Sequence, residues 1–331
     1  MRLVTYNIEW FAHLFDDADN LMLDGESSGR YGVDRYTQGR GIAHVLQRLD
    51  ADAVMVVEAP NTGRNQSCRR ALERFAAEAG LRTDTAVSGF ATDTHQEIAL
   101  LYDPTVLTVK VDPQVSKDTP RFDDSFHIDL DVDDRMDRVR FSKPPLELRV
   151  NTKEGMTLRL IGAHLKSKAP HGAENAKDVV RLSIANRRKQ LAQAIWLHRR
   201  VADHTEAGEH VIVMGDLNDG PGLDEYERLF GKSSVEIVMG TELSDPHAQG
   251  LLKPREIVQP STSRFYNAAT KRYFGALLDY IMISHGLEAH APRWRIWHPF
   301  EDAECYGDIP LREALLAASD HFPVSLDLGL T

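Results

Sequence analysis

A wholly apolar run of strand length, Ala53 to Val57, ends abruptly at Glu58. Such a run suits a β-strand that is buried on both faces. Similar apolar runs, Leu160–Ala163 and Val211–Met214, also end where the sequence turns polar or to glycine. Each run therefore predicts a strand in the interior of the fold.

Segments with helical apolar spacing alternate with the strand-like segments. Predicted helices cover residues 41–49, 69–79 and 176–201, and further predicted strands cover 4–6, 146–150, 157–163, 278–283 and 322–328. Glu97–Tyr102 and Val106–Val111, separated by Asp103-Pro104, are predicted to form a β-hairpin. This mixture of hairpins and strand–helix alternation favours an α/β fold with mixed sheets over a parallel barrel.

The 331 residues contain neither an internal repeat nor a Gly/Ser linker, so we expect one domain over residues 1–331. The acidic, irregular segment from about 112 to 137 is predicted to be an insertion or a long loop. Asp129–Asp133 imitates the start of a calcium loop. However, the sixth position is Asp134 instead of glycine and the twelfth is Arg140 instead of glutamate, so we predict a solvated acidic loop.

The overall charge and the cysteine content restrict the environment and the partners. The formal net charge of −11 favours a small phosphorylated substrate over long nucleic acid, although a local basic patch would permit the latter. Two cysteines, an N-terminus without a signal-peptide pattern and the absence of a long apolar run predict a cytoplasmic protein without stable membrane association. No sequence signal indicates an oligomeric state.

Polar residues with useful chemistry recur where the predicted strands begin or end. They are Asn7, Glu58, His164, Asp216, Asn218, Asp279, Asp320 and His321. Phosphoester hydrolysis needs hard oxygen ligands for Mg²⁺ or Mn²⁺, a base that orients water, and donors for the phosphoryl oxygens, and this set offers all three. The sequence has no zinc-ligand spacing, P-loop, strand-linked GxGxxG or GxSxG elbow.

The motifs around these residues resemble those of the endonuclease/exonuclease/phosphatase family. In order they are Thr5-Tyr6-Asn7-Ile8, Val57-Glu58, Gly162–Ser167, Gly215-Asp216-Leu217-Asn218, Leu278–Ile281 and Ser319–Val324. The resemblance spans nearly the whole chain. It implies a sandwich of two mixed β-sheets with helices on both outer faces, in four layers, and a divalent-metal-dependent phosphoesterase.

The resemblance also implies a role for each side chain. Glu58 would be the main ligand of Mg²⁺ or Mn²⁺, with Asn7 and Asp320 nearby. Asp216 would accept or orient the proton of the attacking water, and Asn218 would hold the phosphate or the nucleophile. His321, oriented by Asp279, would contact the phosphoryl oxygens, and His164 would sit as an imidazolium on the phosphate or the leaving oxygen.

Three further residue sets remain hypotheses. Lys143 stands where deoxyribonuclease-type relatives place a phosphate-binding arginine, so we expect it to bind substrate. Its ammonium would act as a single point charge, whereas the guanidinium of arginine forms two parallel hydrogen bonds. Glu97 is the nearest candidate for an acidic partner of His164, but a one-residue shift would turn it to the other face of its strand. Phe265-Tyr266 is a hypothetical part of the substrate wall.

The substrate has two candidate classes. The sequence favours a small-molecule or lipid-headgroup phosphodiesterase or phosphatase. The alternative is a DNA or RNA endonuclease or exonuclease, which would show a basic rim beside Asp216 and His321. A non-catalytic binding module is disfavoured because the sequence retains all of the chemical residues.

Overall fold

A computed structural model describes residues 1–92, 94, 96–130, 136–170, 172–222, 231–251, 259–267 and 270–329. The strands are β1 Arg2–Asn7, β2 Ala53–Ala59, β3 Thr85–Ser88, β4 Glu97–Tyr102, β5 Leu107–Val111, β6 Phe126–Ile128, β7 Asp137–Val139, β8 Leu146–Thr152, β9 Thr157–His164, β10 His210–Asp216, β11 Leu243–Ser244, β12 Ser263–Asn267, β13 Arg272–Ala276, β14 Asp279–Ser284, β15 Arg293–Ile296 and β16 Val324–Asp327. The helices are α1 Arg35–Leu49, α2 Cys68–Ala79, α3 Ala176–Glu206, α4 Ser234–Met239, α5 Pro246–Leu251, α6 Ala303–Gly307 and α7 Ile309–Ala318, with 3-10 helices at Phe11–Leu14 and His285–His290.

Two six-stranded sheets carry the fold. The first has the strand order β15-β16-β1-β2-β4-β3 and the second β11-β14-β10-β9-β8-β5. Each sheet is mixed, because β1 runs parallel to β2 in the first and β9 runs parallel to β10 in the second, while their other pairs are antiparallel. The expected fold class of two mixed sheets with helices is confirmed.

The apolar residues form three layers because side chains alternate between the two faces of each strand. Val54 and Val56 of β2 face α1, α2 and α7 on the outside of the first sheet. Met55 faces inward and packs with Leu160 of β9 in the layer between the sheets. Ile161 faces outward again toward α3. The result is the predicted four-layer sandwich.

The helix ends follow local sequence signals. The side chain of Ser67 accepts a hydrogen bond from the backbone N–H of Arg70 and caps α2. Gly80 ends this helix in the left-handed conformation, with φ of 62°. The predicted helices at 69–79 and 176–201 are confirmed. The helix predicted at 41–49 is also present, but it begins earlier than its apolar spacing indicated, at Arg35 after the capping residue Asp34.

The predicted β-hairpin at 97–111 is wrong, although both of its strands exist. β4 pairs with β2 and β3 in the first sheet, whereas β5 pairs with β8 at the edge of the second. The chain crosses between sheets at Asp103-Pro104, where the backbone N–H of Asp103 donates to the carbonyl of Asp52. Tertiary packing determines which strands pair, so two strands that are adjacent in sequence need not be adjacent in a sheet.

The acidic segment at 112–137 contains two short strands in its described portion. β6 pairs with β7, and the rings of Phe122 and Phe126 pack against Trp196 of α3. The segment therefore contributes to the outer apolar layer as well as to the surface. The imitation of a calcium loop falls largely on residues 131–135, outside the described residues.

The topology brings the chemical residues to one edge. Asn7 ends β1 and Glu58 lies near the end of the parallel neighbour β2. In the second sheet, Asp216 at the end of β10 is in register with His164 at the end of β9 and with Asp279 at the start of β14. The carboxyl ends of parallel strands are the usual place for such groups in α/β folds.

Candidate active site

Asp216 lies at the centre of the site. It is buried, and its carboxylate accepts hydrogen bonds from the Asn7 side chain at 3.0 Å and from the Asn218 backbone N–H at 2.7 Å. Its Oδ2 lies 3.6 Å from Nε2 of His164. Burial, reinforced by the charge of Asp279, raises the pKa of Asp216 to about 7. A carboxyl with this pKa can exchange a proton near neutral pH.

The backbone conformation of the turn Gly215-Asp216-Leu217-Asn218 requires glycine at its first position. Gly215 has φ of 139°, and a Cβ placed there would lie 2.0 Å from the carbonyl oxygen of Ala163. Only glycine fits this contact. Asn218 is left-handed with φ of 51°, and its side-chain amide donates to Leu165 O and to Asp216 Oδ2, each at 3.1 Å. The turn thus fixes the amide and the carboxylate side by side.

Asp279 and His321 form a buried pair. Oδ2 of Asp279 lies 2.8 Å from Nδ1 of His321, and it also accepts a hydrogen bond from Thr262 Oγ1 at 2.8 Å. Burial alone would lower the pKa of His321, but the charge and hydrogen bond of Asp279 raise it well above its ordinary value. His321 is therefore held as an imidazolium, a donor suited to anionic oxygens.

His164 is in the opposite state. Burial and the neighbouring charge of Lys143 lower the pKa of His164 well below its ordinary value. The Lys143 ammonium lies 3.2 Å from Nδ1 of His164 and 3.8 Å from Oε1 of Glu58. The lowered pKa favours a neutral ring at 164 over the expected imidazolium. Burial also lowers the pKa of Lys143, which the sequence placed at a phosphate-binding position, while the charges of Glu58 and Asp216 oppose that shift.

Glu58 occupies an unusual backbone conformation. Its φ is 59°, and the register of β2 against β4 shifts between Val57 and Ala59. A non-glycine residue in this region costs roughly 1 kcal/mol or more and is common at functional sites. Burial raises the pKa of Glu58, and the charge of Asp320 adds to the effect against the opposing Lys143. The shift in register aims this carboxylate at the site.

The same irregularity explains why Glu97 is not a partner of His164. Glu97 pairs with Ala59, beyond the shifted position, and its carboxylate accepts a hydrogen bond from Thr62 Oγ1 at 2.9 Å. The hypothesis of a Glu97–His164 pair is therefore wrong. Its neighbour Gln96 instead hydrogen-bonds to Glu58.

Two site residues were missed by the sequence reasoning. Glu9 lies on the site just beyond β1, and burial together with the charge of Asp320 raises the pKa of Glu9 to about 7. Its signal was its place two residues after Asn7. Thr262 accepts hydrogen bonds from the backbone N–H groups of Leu278 and Asp279 at 2.9 and 3.0 Å. No local sequence pattern marks Thr262, which directly precedes β12.

Two groups of atoms could hold a cation. Ligand atoms of Asp216, Asp279 and His321 all lie within 4.8 Å of one another. The predicted set of Glu58, Asn7 and Asp320 adjoins this group, and within the described part of the chain the buried Oδ1 of Asn7 receives no hydrogen bond. An oxygen of this kind, beside carboxylates, suits a hard divalent ion.

A cleft of about 640 Å³ opens beside Glu58. Its lining includes the aromatic side chains of Trp10 and His13 and the amides of Asn61, Gln66 and Gln96. The Trp10 and His13 rings lie 4.8 Å apart between centroids. The lining also includes Phe11, Phe15 and Met22, and apolar side chains with a few amides are typical of sites for small organic groups.

The chain belongs to the Endonuclease/Exonuclease/phosphatase family, whose sequence model matches residues 4–321. The expected family is therefore confirmed, and its members are hydrolases of phosphoester bonds that are generally dependent on divalent metals. No curated protein sequence matches the chain.

Solved structures share the fold at low sequence identity. Truncated Caenorhabditis elegans TDP2 is 15% identical with a TM-score of 0.51, covering 98% of this chain and 96% of that one. An AP endonuclease from Archaeoglobus fulgidus is 11% identical with a TM-score of 0.53, covering 99% of each chain. The Bacteroides thetaiotaomicron mannosyl-6-phosphatase Bt3783 is 14% identical with a TM-score of 0.51, again covering 99% of each. These likenesses concern the fold.

No helix within the described ranges is both long enough and apolar enough to cross a membrane.

Proposed function

We propose that this protein hydrolyses phosphoester bonds by direct, metal-assisted attack of water that Asp216 deprotonates or orients. The observation that carries the proposal is the buried Asp216 carboxylate, with a pKa of about 7 and with donors from Asn7 and Asn218 that fix its direction. Ligand atoms of Asp216 and His321 lie within 4.8 Å of one another, so a phosphoryl group that contacts His321 would lie within reach of this base.

The residues present fit Mg²⁺ or Mn²⁺. Glu58, Asn7 and Asp320 would hold the ion, since they supply hard oxygen donors and since the Asn7 amide oxygen is buried without a hydrogen bond from any described residue. When bound, such an ion neutralises phosphoryl charge and polarises the P–O bond. The adjoining Asp216, Asp279 and His321 group is assigned to acid–base work, because Asp279 and His321 already hydrogen-bond to each other.

The protein's own groups divide the remaining tasks. Asp216 takes the proton of water, and Asn218, whose amide is anchored to Leu165 and to Asp216, positions that water against the phosphorus. His321 donates to a non-bridging oxygen, and the Asp279 carboxylate keeps it charged. Lys143 meets a second phosphoryl oxygen, and the neutral His164, whose Nε2 lies 3.6 Å from Oδ2 of Asp216, passes the proton that Asp216 takes from water on to the leaving oxygen.

Two substrate classes are supported by different observations. The cleft beside Glu58 has the volume of a small-molecule site, which supports the phosphodiesterase or phosphatase that the sequence favoured. The nuclease alternative predicted a basic rim near Asp216 and His321. Lys143 lies beside His164, and Arg264 follows Ser263, the residue of β12 that bridges to His321; these two cations support the nuclease alternative.

A parallel assay tests the proposal. Metal-depleted protein is supplied with Mg²⁺ or Mn²⁺ and given bis-p-nitrophenyl phosphate, p-nitrophenyl phosphate or plasmid DNA. We expect ester turnover that requires the metal and falls in Glu58→Gln and in Asp216→Asn. Glu97→Gln is the matched control, since Glu97 binds Thr62 instead of the site. Turnover equal to wild type in both site variants would contradict the proposal.

A further inference from the structure

The two-stranded hairpin of β12 and β13 differs in charge from the rest of the chain. Residues 261–278 contain Arg264, Lys271 and Arg272 but no aspartate or glutamate, within a protein of formal net charge −11. In the described residues these two strands pair only with each other, apart from one bridge between Ser263 and His321. A local positive ribbon therefore begins at the candidate active site.

One face of the ribbon is aromatic and starts at His321. The Phe265 ring lies 5.5 Å from the His321 ring, edge to face. Phe274 is the cross-strand partner of Phe265, and their ring centroids are also 5.5 Å apart. Phe274 is 50% exposed. The two rings therefore extend an aromatic surface outward from the histidine.

A cation follows on the same face. Arg272 lies two residues before Phe274 along β13, and residues at this spacing share a face of a strand. The spacing corresponds to about 6.7 Å along the strand. The face thus presents, in order, the site, two aromatic rings and a guanidinium.

The opposite face repeats this combination. Tyr266 and Tyr273 pair at 5.1 Å and are 53% and 55% exposed. The Arg264 guanidinium stacks over the Tyr273 ring at 3.5 Å from its centroid. The backbone N–H of Arg264 also donates to the carbonyl of Asp320 at 2.8 Å, which ties the ribbon to the site. The same guanidinium lies 5.2 Å from the centroid of the Phe300 ring. Exposed rings on both faces of a ribbon that lies outside the two large sheets indicate a binding surface.

We propose that this ribbon docks a single-stranded nucleic acid whose phosphodiester enters the site. The inference rests on the proposed phosphoester hydrolysis and gives its substrate class. Exposed aromatic rings stack on bases of any sequence, and arginines beside them meet the phosphates. The cleft beside Glu58 would then receive a single nucleotide at the scissile bond, and Phe265, Phe274 and Arg272 would hold the strand that leads from it.

The composition favours a nucleic acid over a lipid surface. In the sequence, the turn between the two strands reads Asn-Ala-Ala-Thr-Lys (267–271) and contains no large apolar residue, whereas an inserting segment presents Trp, Phe or Leu. The aromatic residues lie on the body of the strands, and an arginine covers one of the rings. This arrangement is suited to stacking and phosphate contact.

The test measures binding of a fluorescent single-stranded oligodeoxythymidylate to the full chain in chelator, by anisotropy over a series of salt concentrations. We expect Phe274→Ala to weaken binding about 5-fold or more, the effect of losing one stacked base. Arg272→Ala should weaken binding and reduce the slope of the logarithm of the affinity against the logarithm of the salt concentration by about 1. Both variants should hydrolyse bis-p-nitrophenyl phosphate as the wild type does.

Matched controls are Tyr306→Ala on α6 and Arg69→Ala on α2, an exposed ring and an exposed cation outside the ribbon. Oligonucleotide binding that is absent, or equally affected by the controls, would overturn the inference. Phe274-dependent sedimentation with phosphatidylserine vesicles, without oligonucleotide binding, would overturn it in favour of a membrane surface. The bis-p-nitrophenyl phosphate readout keeps this failure separate from failure of the proposed hydrolysis.

Discussion

The side-chain amide of Asn7 donates a hydrogen bond to Oδ2 of Asp216 at 3.0 Å, across the two sheets of the sandwich. Asn7 ends β1 of the first sheet and Asp216 ends β10 of the second. The contact leaves Oδ1 of Asn7 for a ligand and fixes the orientation of the Asp216 carboxylate. The candidate base and the candidate metal ligands therefore hold a set position only while the sheets stay packed.

Asp216 should lower the stability of the metal-free protein at alkaline pH. Its folded pKa of about 7 lies above the ordinary value of 3.8, so the folded state holds a proton that the unfolded state releases. The free energy of unfolding therefore falls as the pH rises from about 4 to about 7, and this loss of stability is complete above about pH 7. We predict that Asp216→Asn melts at a higher temperature than wild type at pH 8, with a much smaller difference near pH 4. Equal differences at both pH values in a thermal melt would contradict this.

Thr262 should act as a positioning residue. Its hydroxyl donates to Asp279 Oδ2 and accepts from the backbone at 278 and 279, so Thr262→Val removes a fixed donor from the carboxylate that orients His321. We predict a fall in kcat of roughly 10- to 100-fold with little change in KM, the usual effect of losing an outer hydrogen bond. Thr262→Ser restores the hydroxyl and should recover most of the rate. A valine variant with wild-type kcat would refute the role.

Glu58 should dominate metal affinity. Its carboxylate is aimed at the site by the left-handed backbone at φ of 59°, and a neutral amide at this position is a weaker ligand for a hard cation. Titration calorimetry with Mn²⁺ should show binding to wild type and to Glu97→Gln but a loss of at least about 10-fold in affinity in Glu58→Gln. Unchanged affinity in Glu58→Gln would contradict this prediction and would indicate that the metal binds to the group of Asp216, Asp279 and His321.

The buried pair of Glu147 and Arg200 should stabilise the second sheet against α3. The Arg200 Nε lies 3.0 Å from Glu147 Oε1, and both side chains are almost fully buried. We predict that Glu147→Leu lowers the free energy of unfolding, measured by urea denaturation, by about 3–5 kcal/mol, because it removes the nearest carboxylate from a buried guanidinium. Arg181→Ala, which breaks an exposed pair with Asp178, should cost less than about 1 kcal/mol. Similar costs for both variants would argue against the burial effect.

The sequence predicted the residues that end strands because their signal is local. An apolar run followed by a polar residue marks both the strand and its end, and this rule located Glu58, His164 and Asp216. The same rule could not assign strand partners. β4 and β5 are adjacent in sequence, but their partners β2 and β8 lie in different sheets and are selected by packing between layers.

The protonation states and hydrogen-bond partners of the site residues were harder to predict from the sequence. The neutral state of His164 follows from its burial beside Lys143, a contact between residues far apart in sequence. Thr262 acts through a hydrogen bond to Asp279 that no spacing reveals. Charge state and partner choice depend on three-dimensional neighbours, so they appear only once the chain is folded.

Direct attack of water at phosphorus is the central claim, and its stereochemistry tests it most directly. Hydrolysis of a phosphorothioate diester of one configuration at phosphorus would be followed in ¹⁸O-labelled water with Mg²⁺, and the configuration of the product determined. A single displacement by the water that Asp216 orients predicts inversion. Retention would mean two displacements through a covalent enzyme intermediate and would contradict the account.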